Sequence, residues 1–133
     1  MAVLIDTAPL IAFERSGAPE RLDAEIGDDE RAISVVTASE LLHGVHRANA
    51  QHAARRRAFV EHILAAMEPV PITAAIARVH AEIWAGLEAA GTPIGAHDLW
   101  IAATAVAHGY GVVTSNTRDF ARVPGLRVVP FDG

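Results

Sequence analysis

Apolar residues run unbroken through Ala2-Val3-Leu4-Ile5, return over 32–36, and appear again in Gly111-Val112-Val113-Thr114 and near 127–129. Longer stretches between these runs carry helical periodicity. Over 74–90, Ile76, Val79, His80, Ile83 and Leu87 recur at helical spacing, and 96–108 is apolar on nearly every face. The predicted order is strand 2–6, helices 8–15 and 18–26, strand 32–36, and helices 38–48 and 50–67. A short strand at Val70-Pro71, helices 73–90 and 96–108, and strands 111–114 and 127–129 complete it. Strands separated by helical stretches predict an α/β fold, a mainly parallel sheet with helices on both faces. A first strand apolar at every position suits a strand covered on both sides. Pro9 belongs in the first turn of a helix opening near Thr7, and Gly91 and Gly109 stand where C-terminal caps are expected.

The chain of 133 residues fits a single domain, 1–133. It has no cysteine, which excludes disulfides and thiolate metal sites and fits a reducing compartment. No basic leader, long apolar run or linker is evident, so the cytoplasm is the expected location, with no membrane partner. The formal charge of −5 argues against a protein that simply coats nucleic acid. All eleven basic residues are arginine, which excludes P-loop and Schiff-base chemistry dependent on lysine.

Four acids change the picture. Asp6 ends the first strand, Glu40 lies early in the helix after the second, Asp98 opens the apolar helix 96–108, and Asp119 follows strand 111–114 with Asn116 between. Ligands in parallel α/β sheets gather at the carboxyl ends of strands. Each acid also has a local structural reading. Asp6 can cap the following helix, Thr37-Ala38-Ser39-Glu40 fits a capping box, and Asp119 can serve a turn. Asp98 is harder to assign locally, because a helix so apolar is central to a fold and an unpaired buried charge is costly. Together the four favour a shared site for a hard cation, Mg²⁺ or Mn²⁺, which prefers oxygen ligands. They also account for four of the five excess negative charges.

The segments Leu4-Ile5-Asp6-Thr7, Ser39-Glu40-Leu41-Leu42-His43-Gly44, His97-Asp98-Leu99-Trp100 and Val112-Val113-Thr114-Ser115-Asn116-Thr117-Arg118-Asp119-Phe120 resemble the PIN-domain ribonucleases. More narrowly, they are similar to VapC toxins of VapBC toxin–antitoxin pairs. The likeness covers essentially the whole chain. It implies a PIN-like three-layer α/β/α fold and a metal-dependent endoribonuclease, with RNA as substrate and a VapB-like antitoxin as partner. A homodimer or a toxin–antitoxin hetero-oligomer is expected on the same ground. The resemblance makes Asp6, Glu40, Asp98 and Asp119 the catalytic, metal-binding quartet, with Thr7, Thr114 and Asn116 as polar support. Many relatives carry an aspartate where this chain has Asn116, so either Asp119 or Asn116 completes the site. The competing class is a non-catalytic PIN-like module that binds RNA or protein.

Other features carry less. His43 and His46 share a helix face without a second pair to complete a zinc site. His97 adjoins Asp98, where it serves either the substrate or the helix start. Arg55-Arg56-Arg57 and Arg47 suit RNA phosphates, an acidic partner or simple solvation, and Arg118 lies close to Asn116 and Asp119.

Overall fold

The computed structural model describes residues 2–16 and 27–131. The helix expected at 18–26 lies outside them. Among the described residues, four strands form one sheet: β1 (Ala2–Ile5), β2 (Glu30–Ala32), β3 (Gly111–Thr114) and β4 (Val128–Pro130), in spatial order β2-β1-β3-β4. Every pairing is parallel. The helices are α1 (Thr7–Ser16), α2 (Val35–Arg47), α3 (Ala50–Ala66), α4 (Ala74–Ala90), α5 (Ala96–His108) and the short α6 (Thr117–Phe120).

Pleating divides the apolar strands between two cores, since alternate side chains face opposite sides. Val3, Ile5 and Val113 join Leu10 of α1, Leu41 and Val45 of α2, and Val60 and Ile63 of α3. Leu4 and Val112 face the other way, onto Leu87 of α4, Ile101, Ala102 and Ala105 of α5, and Phe120 of α6. The result is the three-layer α/β/α arrangement that the resemblance implies.

Helix α5 is the most enclosed among the described helices, with Leu99 and Ile101 through Ala105 all buried. It packs along α4, where the His80 imidazole stacks on the Trp100 ring at 3.5 Å between centroids. Both helices end at a left-handed glycine, Gly91 at φ 71° and Gly109 at φ 72°, a conformation that a Cβ would strain.

Three boundaries differ from expectation. The strand expected over 32–36 is β2 at 30–32, and α2 begins at Val35 rather than 38. Ser34 is the reason: its Oγ accepts the backbone N–H of Thr37 at 3.0 Å and caps the helix three residues earlier than the Thr37 capping box would. The strand at Val70-Pro71 reduces to a single parallel bridge between Val70 and Ser34. The turn containing Asp119 is one turn of helix, α6.

Ile101 is fully buried against the sheet. Ile101→Ala should cost about 3 kcal/mol through lost burial and an unfilled cavity, lowering the melting temperature by roughly 10 °C. Thermal unfolding followed by circular dichroism measures it, and a shift below about 2 °C would contradict this packing.

Candidate active site

The sheet order places a topological switch between β1 and β3. From β1 the chain crosses to β2 on one side, while β3 sits on the other, so a crevice opens beyond the carboxyl ends of both strands. Asp6 lies there, one residue past β1. Its backbone N–H donates to the Val113 carbonyl at 2.9 Å, extending the pairing to the strand end. The side chain is only 7% exposed. Its Oδ1 accepts the Thr7 backbone N–H at 2.8 Å and its Oδ2 accepts the Thr114 hydroxyl at 2.8 Å. The Asn116 backbone N–H in turn donates to Thr114 Oγ1 at 2.9 Å, tying the end of β3 to the carboxylate.

Glu40 is not a capping-box residue. Because α2 starts at Val35, Glu40 falls in its second turn and projects to the crevice. Its Oε1 accepts the Thr7 hydroxyl at 2.7 Å, and its Oε2 lies 3.3 Å from His97 Nδ1. Thr7 therefore joins the two carboxylates, its N–H bound to Asp6 and its hydroxyl to Glu40. His97 orients Glu40, a role that neither reading from the sequence named.

Asp98 is in the first turn of α5, where the helix dipole favours a negative charge. Its Oδ2 accepts the Asn116 side-chain amide at 3.0 Å, and the same nitrogen lies 3.2 Å from Asp119 Oδ2. Two carboxylate acceptors require the nitrogen of Asn116 to face them. Asn116 thus bridges Asp98 and Asp119 as a donor, and both acids occupy the crevice. Arg122 completes this corner, 3.7 Å from Asp119 Oδ1 and bonded to the Pro93 carbonyl at 2.9 Å. Sequence reasoning missed Arg122, although its three-residue spacing from Asp119 on a helical turn was a usable signal. Arg118 is exposed and makes no ion pair among the described residues.

The electrostatics follow from this crowding. Burial pushes the Asp6 carboxyl above its ordinary range, the bonds from Thr114 and Thr7 pull it back, and the Glu40 charge raises it further. Burial also raises Asp98, reinforced by Asp6, opposed by the Asn116 bond, and reinforced again by Glu40 and Asp119. One carboxyl thus feels the other three. Oxygen-only donors under mutual repulsion fit a hard divalent cation. Among the described residues, no three Asp, Glu or His side chains converge into a ready-made coordination shell. Mg²⁺ usually takes one or two carboxylates directly and keeps several waters.

A family model described as the PIN domain matches residues 3–126. The chain belongs to the PIN-domain family. Within it, the chain groups with the VapC ribonucleases. It is 35% identical over 130 residues to Ribonuclease VapC1 of Rickettsia felis, covering 97% of this chain and 96% of that one. It is 32% identical over 127 residues to the tRNA(fMet)-specific endonuclease VapC of Salmonella typhimurium, covering 94% of each. Among solved structures, the DNA-bound VapBC complex of Salmonella typhimurium holds a chain that superposes with a TM-score of 0.87, at 30% identity over 99% of both chains. The parallel sheet with helices on both faces is thus the PIN fold.

Raised carboxyl pKa values have a consequence for folding. The folded chain holds these protons more tightly than the unfolded chain, so stability falls as pH rises from the ordinary value of 3.8 through the raised folded values. At neutral pH, without divalent cations, the Asp98 charge opposes folding. Asp98→Asn keeps an oxygen acceptor for Asn116 and should melt higher than wild type at pH 7 in chelator. Near pH 4 that advantage should disappear. Melting curves across this range check it, and a variant less stable than wild type at neutral pH would contradict the repulsion.

Proposed function

We propose that this chain is a metal-dependent endoribonuclease of a type II toxin–antitoxin system, hydrolysing RNA phosphodiester bonds. The observation that carries the reading is that Asp98 is held within electrostatic reach of Asp6, Glu40 and Asp119 at the switch-point crevice. The names of the VapC relatives, a ribonuclease and a tRNA-specific endonuclease, support RNA as the substrate class. Asp6 and Asp98, with Glu40 and Asp119, would hold Mg²⁺ or Mn²⁺. When bound, such an ion supplies the positive charge that neutralises the carboxylates and admits a phosphate to a pocket that otherwise repels it.

The chain's own groups have distinct tasks. Thr7, Thr114 and Asn116 fix the carboxylates, so little reorganisation remains at the moment of reaction. Hydrolysis requires water oxygen to attack phosphorus while the bond to the leaving oxygen breaks. The water's proton must go to a base, and the leaving oxygen must gain one. A crevice carboxylate left uncoordinated, since Mg²⁺ takes only one or two directly, is the group in place to accept the water's proton. His97, largely exposed beside Glu40, stands at the entrance.

The partner in this reading is a VapB-like antitoxin, supported by similarity to a VapBC complex, with a homodimer or mixed oligomer as the assembled form. Among the described residues, no helix is long and apolar enough to cross a membrane, and a cytoplasmic location completes the reading.

Glu40→Gln and Asp98→Asn test the assignment. Each should lower Mg²⁺-dependent cleavage of bulk tRNA by on the order of 100-fold or more, while circular dichroism shows the wild-type fold. Cleavage by both variants at the wild-type rate would refute the site.

A further inference from the structure

The acidic crevice does not end at Glu40. An open cleft of about 330 Å³ leads off it, lined by Glu40, His43, Gly44, Arg47, Ala48 and Arg56. Four of these, Glu40, His43, Gly44 and Arg47, share one face of α2, since residues three, four and seven apart line up along a helix. At a rise of 1.5 Å per residue, Arg47 stands about 10 Å along the axis from Glu40. A second cleft of about 290 Å³ continues past Arg56, between α1 and α3, with Glu14, Arg15, His52 and Arg55 in its walls; Glu14 is the acid that pairs with Arg56.

Arg56 is the partition between the two clefts. Its Nε sits 3.6 Å from Glu14 and its side chain is mostly covered. It is a structural wall, which separates it from its neighbours in the run 55–57. Arg47, Arg55 and Arg15 are exposed and pair with no acid among the described residues. That is notable in a chain with sixteen acids and eleven basic residues. Four of those eleven line two adjoining clefts that share Arg56, and the first of the clefts starts at Glu40 of the catalytic crevice.

We propose that these clefts form a track for the RNA backbone, in which Arg47 and Arg55 hold phosphates flanking the one that is cleaved. The proposal rests on the nuclease reading of the acidic centre. The chemistry matches a polyanion, since guanidinium groups give forked, charge-assisted hydrogen bonds to phosphate oxygens. A protein segment is the poorer fit. Protein interfaces centre on large apolar anchors, and the walls here are charged side chains, glycine and alanine. The track also gives an acidic protein the cationic surface it needs to draw in its substrate. It separates two tasks along one helix: Glu40 at the reacting centre, Arg47 on the strand beyond it.

The test uses fluorescein-labelled bulk tRNA and the full chain. Binding is measured by anisotropy over a range of salt concentrations in the non-cleaving Asp98→Asn background. Adding Arg47→Ala and Arg55→Ala should weaken binding roughly tenfold and flatten the plot of log affinity against log salt by about 0.7 per lost contact. Arg47→Lys should recover most of the slope as a point charge, and Arg78→Ala, outside both clefts, should change nothing. In the cleaving chain, the double substitution should raise KM by a larger factor than it lowers kcat. An unaltered slope and affinity would overturn the track, as would a loss of affinity for an antitoxin alone. If wild type cleaves no RNA while the slope still falls, the nuclease reading fails and the track stands. Cleavage with a KM indifferent to both arginines leaves the nuclease and removes the track.

Discussion

Asp6 is a carboxylate buried at the end of the central strand pair, and much of the surrounding architecture follows from keeping it there. A buried charge needs donors. The chain supplies two of them from segments more than a hundred residues apart, the Thr7 backbone and the Thr114 hydroxyl. Those bonds fix the ends of β1 and β3 side by side. They also bring Glu40 in through Thr7, and Asp98 and Asp119 in through Asn116, which follows Thr114. Hydrogen bonding alone does not satisfy the group, because burial and neighbouring charges still push Asp6 and Asp98 toward protonation. The remaining deficit is positive charge.

The fold makes such a deficit tolerable. Parallel strands bury both faces of the sheet, and the alternation of Val3 and Ile5 against Leu4 builds two cores from one short segment. Helix α5 then contributes both ends of the bargain, a nearly all-apolar body for one core and Asp98 in its first turn for the crevice. The hydrophobic layers hold the carboxylates together against their repulsion, and a cation would turn that repulsion into binding energy. The membership of the PIN family fits this arrangement, in which the site stands on rigid strand ends and helix starts.

Much of this was legible in the residues. The span of α5 and both glycine caps were marked by apolar helical runs ending at glycine, and strand 111–114 by a short apolar run beginning at one, signals that local chemistry alone sets. The four acids were legible as a group because Asp6, Asp98 and Asp119 each lie at the end or start of a regular element and Glu40 lies early in a helix. The start of α2 was not. Val35 and Val36 are β-branched and continue an apolar run, so they read as strand, while Ser34 and Thr37 both qualify as caps. Only tertiary packing, with Ser34 buried and bridged to Val70, selects the earlier one. That shift decides the role of Glu40, which a later helix start would have spent on capping. Asn116 was legible as polar support, but not that its amide serves two carboxylates at once. The division of the arginine run into a covered Arg56 and open neighbours depends on α3 packing against α1, which no local pattern encodes.

The central claim is that these carboxylates form one cation site whose repulsion the ion relieves. A titration of melting temperature against Mg²⁺ and Mn²⁺, in wild type and in Asp98→Asn, tests it most directly. A ligand that binds only the folded state stabilises it in proportion to the logarithm of its concentration above Kd. The account predicts a concentration-dependent rise in wild type that is largely lost in Asp98→Asn. Equal rises in the two proteins, or none in wild type at millimolar metal, would contradict it.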